Sequence, residues 1–208
     1  MFRLAYTLFA LLLSYGAAFA APTLFDGYEL GAPKHILAAQ PGMDPGQGTV
    51  TDDLIRQDVP FAGHNWTMRL NFVENRLAAV TLMSPYDRLR FNDVKRHLEQ
   101  NHFEILGIVV DEKALDLFRL IKAGGIEAFQ KHFLELVRAK APERVSYEWF
   151  DTQTVSLDQK KMANSINEFL RVVDMDIRQA EVTQLGEAAS GPQALLVTFS
   201  CPVRNAAK

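Results

Sequence analysis

The residues best suited to chemistry stand at the start of the segment HNWTMRLNFVENRLAAVTL, which runs from His64 to Leu82. There an imidazole, an amide and an indole follow one another as His64, Asn65 and Trp66. An aromatic ring beside hydrogen-bonding side chains is a common lining for a pocket that takes a ring or a sugar. Together with Tyr147 from a later segment, these three residues form the candidate ligand-binding set.

The same histidine also supports a catalytic alternative. Asp52 and Asp53 precede His64 in the neighbouring predicted strand, and a carboxylate beside an imidazole is the arrangement of a general base in a hydrolase-like enzyme. No Gly-x-Ser-x-Gly segment is present that would place a serine on a sharp turn. The sequence therefore assigns no catalytic residue outside this alternative.

Residues that bind metals or phosphates are not grouped in this sequence. His97 and His102 are five residues apart across a predicted helix end, so their side chains do not project together as a pair of ligands would. No Cys/His zinc set is present, and no Lys-Ser or Lys-Thr pair follows the glycines near residue 45. The single cysteine, Cys201, shares one face of a predicted strand with Leu195, Val197 and Phe199, which predicts a buried and protonated thiol. The sequence predicts neither a metal site nor a cofactor.

Residues 1–20, MFRLAYTLFALLLSYGAAFA, have the layout of a cleavable secretory signal, with a basic start, an apolar stretch and an Ala-x-Ala end. Cleavage between Ala20 and Ala21 would place the mature protein in the periplasm or outside the cell, and retention of the segment as an anchor is the alternative. No later segment reaches the ~20 apolar residues that span a bilayer, so no stable membrane insertion is expected after cleavage.

The chain of 208 residues has a formal net charge of −3, which gives no electrostatic reason to bind nucleic acid or an anionic membrane. The expected partner is instead another envelope protein or a small ligand. Export and the lack of a catalytic constellation together favour a non-catalytic binding protein, with the hydrolase-like enzyme as the alternative.

Alternating apolar residues from Trp66 to Met83 predict an antiparallel hairpin, for which two registers remain open. A two-residue turn on Glu74-Asn75 would place Phe72 opposite Leu77. A three-residue loop would place Phe72 opposite Ala78 and gives the better apolar face.

The remaining elements follow from caps, glycines and periodicity. Two helices are predicted around Gly124-Gly125, the first capped by Asp111 and running to Lys122, and the second beginning at Ile126. They are predicted to form a helical hairpin with Phe133 in its core. A capping box at Ser156 to Gln159 predicts a further helix. The other predicted helices lie near residues 33–39 and 84–101, the second with Ser84 as its N-cap. The other predicted strands are 49–59, 103–110, 144–150, 174–185 and 193–203.

These elements predict an α+β fold. Its antiparallel sheet is formed by the central hairpin and the C-terminal strands, and three to four helices, including the helical hairpin, cover it. Residues 21–208 are expected to form a single α+β domain, and residues 84–87 are where a boundary between two modules would fall.

Two short matches, Leu30-Gly31 and Phe72-Val73-Glu74-Asn75-Arg76-Leu77, carry a resemblance to a known class. The N-terminal third of the chain resembles the small secreted helix-plus-hairpin modules of bacterial envelope proteins, of the β-lactamase-inhibitor-like and outer-membrane-assembly accessory type. In those modules a short helix follows a glycine, and the hairpin turn carries a glycine where this sequence has Asn75. The resemblance implies a protein-binding role without catalysis and assigns no functional residue.

Overall fold

The computed structural model describes residues 21–45, 53–139, 142–174, 176–187 and 191–202. The predicted signal segment and Asp52 lie outside the described residues. Within the described ranges the strands are β1 (Thr23–Phe25), β2 (Tyr28–Glu29), β3 (Asp44–Pro45), β4 (Leu54–Phe61), β5 (His64–Val73), β6 (Arg76–Pro85), β7 (Phe103–Val110), β8 (Lys113–Asp116), β9 (Arg144–Asp151), β10 (Gln179–Glu187) and β11 (Gly191–Ser200). The helices there are α1 (Lys34–Ala38), α2 (Arg88–Gln100), α3 (Leu117–Ala139), α4 (Leu157–Met162) and α5 (Ile166–Val172).

A single large antiparallel sheet dominates the molecule. Nine strands form it in the order β3-β4-β5-β6-β11-β10-β9-β7-β8, while β1 and β2 pair with each other. Five further strands, β3, β4, β7, β8 and β9, therefore join the predicted central hairpin and C-terminal pair. The predicted α+β class, with three to four helices covering the sheet, is wrong, because the sheet holds more of the described residues than the helices do, and α1, α4 and α5 have only five, six and seven residues.

The predicted helical hairpin is also wrong in its first helix, and the reason lies at Asp111. This residue has a φ of 52° and starts a reversal that pairs β8 with β7, so the chain continues as strand. Its Oδ1 accepts hydrogen bonds from the amides of Glu143 and Arg144, at 2.9 and 3.0 Å, and so does not cap a helix. Helix α3 begins only at Leu117 and is interrupted by non-helical angles at Gly124 and Gly125.

The central hairpin contains both of the registers that the sequence left open. Glu74 and Asn75 form a two-residue turn with positive φ values of 50° and 59°, and Phe72 lies opposite Leu77. A bulge then takes in Ala78 as an extra residue, and beyond it the strands follow the register of the three-residue loop. The bulge thus combines a tight turn with a continuous apolar face.

One face of the sheet carries the main core, and its burial is the largest favourable contribution to folding. The N-terminal segment and helix α2 cover this face, and the C-terminal half of α3 packs against its β7–β9 end. The core includes Leu24, Tyr28 and Leu37 from the N-terminal segment, Val94 and Leu98 from α2, and Trp66, Met68, Leu70, Val80, Leu82, Trp149, Val182, Leu195, Val197 and Phe199 from the sheet.

The opposite face is polar over most of its width. Arg69, Thr81, Thr198, Glu181 and Glu148 are successive cross-strand partners from β5 to β9. The two threonine hydroxyl oxygens lie 3.1 Å apart. Helices α4 and α5 pack only at the β7–β9 end of this face, through a smaller apolar cluster.

Two of the helices begin with N-cap residues of the predicted kind, and in one of them the N-cap lies at a different position. Asp87, and not Ser84, is the N-cap of α2, where its side chain accepts a hydrogen bond from the Arg90 amide at 2.8 Å. The capping box of Ser156 and Gln159 is confirmed at the start of α4. No helix in the described ranges combines the length and apolar character that crossing a bilayer requires.

Candidate ligand-binding site

A cavity of about 480 Å³ lies where the N-terminal segment, the β4–β5 turn and the end of α2 meet above the apolar sheet face. Its volume falls in the range of roughly 300–1,000 Å³ that is typical of small-ligand sites. The cavity is lined by Leu24, Phe25, Asp26, Pro60, Phe61, Ala62, Gly63, His97, Leu98, Asn101, Phe103, Arg178 and Phe199.

Aromatic rings form much of the cavity wall. Phe25 stacks on Phe199 with ring centroids 5.3 Å apart, and Phe61 meets both rings edge to face at 5.6 and 5.7 Å. Phe103 approaches Phe199 at 6.5 Å. Offset and edge-to-face contacts of this kind hold rings in fixed positions. Phe61, Phe103 and Phe199 expose only 6%, 4% and 5% of their surface, so the half-buried Phe25 is the ring most open to an apolar ligand.

Two tight turns bring chain segments to the rim of the cavity. Asp26-Gly27 connects β1 to β2 with φ values of 40° and 80°, which is the Asp-Gly sequence that such turns favour. Ala62-Gly63 connects β4 to β5 with φ values of 50° and 79°. Ala62 adopts a conformation that L-residues other than Asn and Asp rarely take, so the second turn holds its shape at a cost in backbone strain.

His97 contributes an uncharged polar group to the wall. Its ring meets the Phe61 ring edge to face at 4.8 Å, and burial lowers the pKa of His97 below its ordinary value of 6.5. The imidazole is therefore neutral at pH 7. Asn101, one turn further along, uses its side-chain amide to donate to the His97 carbonyl at 2.7 Å.

Arg178 is the cationic member of the lining. Its Nε and Nη2 atoms both donate to Oδ2 of Asp151, at 3.0 and 2.5 Å, and its guanidinium carbon lies 5.3 Å from the centre of the Phe103 ring. Asp151 does not line this cavity but a neighbouring one of about 330 Å³, which Arg178 also lines. Arg178 thus lines both cavities, whereas its counter-ion lines the second but not the aromatic one.

The four residues that the sequence singles out lie outside this cavity. His64 is half-buried, with its Nε2 at 3.0 Å from Oδ2 of Asp93 on α2, and Asn65 is exposed. Trp66 is only 2% exposed, and its Nε1 donates to the Phe61 carbonyl at 3.0 Å. Trp66 is therefore part of the core beneath the cavity wall.

Tyr147 lies apart from the other three. Its ring packs against Phe91 of α2 with centroids 5.4 Å apart, whereas Trp66 packs against the guanidinium of Arg90 at 5.4 Å. Burial, and then the neighbouring Tyr86, raise the pKa of Tyr147, so its phenol remains protonated at neutral pH. The predicted ligand-binding set does not come together in one pocket.

Asp53, one of the two acids predicted to assist His64, lies elsewhere. Asp53 is buried, and its Oδ2 is 4.0 Å from Nε of Arg69, near the opposite end of β4 from His64. The carboxylate beside the imidazole is Asp93 of α2, which also accepts a hydrogen bond from Arg96 at 2.9 Å. The acid beside His64 is therefore Asp93, which the sequence alone did not indicate.

A half-buried acid also occupies the polar face of the sheet. The carboxylate of Glu148 lies where a side chain on Gly107 would have to go, next to Ile166 of α5. Burial, followed by repulsion from Glu181 and Asp116, raises the pKa of Glu148. Within the described part of the chain, no three His, Cys, Asp or Glu side chains are grouped so as to hold a metal ion.

Most of the cavity residues were missed by reasoning from the sequence. Phe199 was assigned to the apolar face of its strand, but Phe25, Phe61 and Arg178 received no functional role. The two turns at the rim of the cavity contain Gly27 and Gly63, and these glycines are the one local sequence signal that could have indicated the turns. No protein-family model matches the chain, and no match was found among curated proteins or among solved structures.

Proposed function

We propose that the protein is an exported, non-catalytic binding protein whose ligand is small and largely apolar. The observation that carries this proposal is the cavity of about 480 Å³ walled by four phenylalanine rings and a neutral imidazole. A concave, mostly apolar site with a few polar groups is the usual form of a small-molecule site. The other partner considered from the sequence, an envelope protein, is supported by the resemblance of the N-terminal third alone.

Titration with N-phenyl-1-naphthylamine, a neutral dye that fluoresces in apolar surroundings, tests this proposal on the purified chain. We expect saturable binding at one site. Phe25→Gln should weaken it about tenfold, because it replaces a ring of the wall, and the loss of a comparable apolar contact is worth about 1–2 kcal/mol.

Phe91→Gln is the matched control for this experiment. Phe91 is also half-buried and also packs on a ring, at 5.4 Å from Tyr147, but it does not line the cavity. Its affinity for the dye should stay within about twofold of the natural chain. No saturable binding, or equal losses in both variants, would contradict the proposal.

Export is the second part of the proposal and rests on the layout of residues 1–20. The mature chain should begin at Ala21, which intact-mass measurement of the exported protein would show. A mass that retains residues 1–20 in the exported fraction would support the anchored alternative instead.

The hydrolase-like alternative has one observation in its favour, the distance of 3.0 Å between His64 and Asp93. A carboxylate that orients an imidazole is half of a general-base arrangement. Hydrolysis of p-nitrophenyl acetate that is abolished by His64→Ala and unaffected by His132→Ala would favour this enzyme over a non-catalytic role. His132 is an exposed histidine of α3, and it serves as the control for a surface imidazole.

A further inference from the structure

We infer that the ligand of the aromatic cavity is an aromatic monocarboxylate, held by its ring against the phenylalanine wall and by its carboxylate at the Arg178 guanidinium. This inference rests on the proposed binding function and adds the chemistry of the head group. It follows from how charge is distributed around the cavity.

The first step concerns the charge that faces the cavity. Arg178 lines the cavity, whereas Asp151, which neutralises it, lines the neighbouring one. Both donors used by Asp151 reach the same carboxylate oxygen, and Nη1 donates to no atom of the described residues. Nη1 is thus left to donate to a carboxylate bound in the cavity that Arg178 lines, and guanidinium groups suit planar carboxylates well.

The second step concerns the other polar groups of the lining. His97 is neutral, since burial lowers its pKa, and Asn101 is exposed with its amide on the His97 carbonyl. Asp26 is the acidic lining residue and is exposed to solvent, where water weakens its interaction with a ligand. The partly buried charge at this site is therefore positive, with 34% of the Arg178 side chain exposed.

The third step concerns the body of the ligand. The rings of Phe25, Phe61, Phe103 and Phe199 lie 5.3 to 6.5 Å from a neighbouring ring of the same cluster. Phe25, the half-buried ring, stacks on Phe199 and meets Phe61 edge to face, and a wall of ring faces and edges favours a flat aromatic group. An aromatic acid satisfies both the wall and the guanidinium.

Calorimetric titration with three naphthalene compounds that differ only in the head group tests the inference without any substitution. The probes are 2-naphthoate, 2-naphthalenemethanol and 2-naphthylmethylammonium. The carboxylate should bind at least about tenfold more tightly than the alcohol, as expected for a charge-assisted hydrogen bond, and the ammonium should bind most weakly. Equal affinities, or tightest binding of the ammonium through Asp26, would overturn the assignment of the head group.

Two double variants locate the effect. Asp151→Asn with Arg178→Gln removes the ion pair at the cavity and should reduce 2-naphthoate to the affinity of the alcohol, which should change less than about twofold. Arg144→Gln with Glu181→Gln removes an ion pair of 2.6 Å on the polar sheet face and should leave both affinities unchanged. A preference for the carboxylate that survives loss of Arg178 would overturn the inference.

The two levels of the proposal fail in different ways. If none of the naphthalene compounds and no neutral dye binds, the binding function itself is wrong. If the alcohol and the dye bind but the carboxylate has no advantage, the cavity is a ligand site and only the assigned head group is wrong.

Discussion

Replacing Phe169 by alanine tests whether helix α5 is packed on the polar side of the sheet as described. Phe169 is fully buried, and its ring lies 5.5 Å from that of Phe118 and 6.0 Å from that of Phe150. Phe150 belongs to β9, which is paired on both sides by β7 and β10, so the sheet cannot move to fill the space. Loss of a buried ring with little relaxation costs roughly 3–5 kcal/mol, and we expect a value in that range.

Phe133→Ala is the matched comparison, because it makes the same substitution in another helix. The sequence predicts a core ring at Phe133, but this side chain is only half-buried on α3, stacked against Phe129 with centroids 6.2 Å apart. Less apolar surface is lost and solvent can enter the space that the ring leaves. We therefore expect a cost of about 1–2 kcal/mol.

Urea unfolding followed by circular dichroism measures both changes, provided that the dependence on urea concentration stays the same in all three proteins. The reasoning predicts that Phe169→Ala costs at least twice as much as Phe133→Ala. Equal and large costs would mean that a partner or another part of the chain covers the exposed side of α3. A cost below about 1 kcal/mol for Phe169→Ala would mean that α5 is not docked on the sheet.

Two other predictions concern a buried thiol and a half-buried carboxyl group. Cys201 has no exposed surface, so a thiol reagent should not label it in buffer and should label it fully in urea; rapid labelling of the native protein would show that the end of β11 is open. The native state holds a proton on Glu148 more tightly than the unfolded chain does, so this residue lowers stability as pH rises from about 4.5 through its raised folded pKa. Glu148→Gln should raise the melting temperature at pH 7 and flatten its dependence on pH in that window, and an unchanged pH profile would contradict this account.

Strand periodicity predicted the parts of the fold in which alternation is long. Strand β7 has the predicted bounds, Phe103–Val110, and Leu195, Val197 and Phe199 share the predicted apolar face. The errors arise where the chain reverses. Aspartate is a common helix N-cap, but Asp111 has a positive φ and reverses the chain. The segment after it becomes β8, whose backbone groups pair with those of β7.

The candidate site was missed for a different reason. Residues that follow one another in a strand point to opposite faces of the sheet, so His64, Asn65 and Trp66 cannot all face one pocket. Trp66 takes the core side and Asn65 the solvent side. A cluster of functional residue types in consecutive positions is therefore weak evidence for a site whenever the segment is a strand.

Arg178 is a charged side chain that lies beside an aromatic ring, that of Phe103. A guanidinium placed beside rings loses hydration, and the loss is large unless a carboxylate compensates it. Asp151 supplies that compensation from the next cavity, at 3.0 and 2.5 Å. Arg178 precedes β10 and Asp151 ends β9, and the amide of Asp151 donates to the Arg178 carbonyl at 2.9 Å, so backbone pairing fixes the two side chains relative to each other. The position of the Arg178 charge, which would select the ligand, is thus fixed by the pairing of β9 with β10. The two strands are distant in sequence, and no local sequence pattern indicates that they pair.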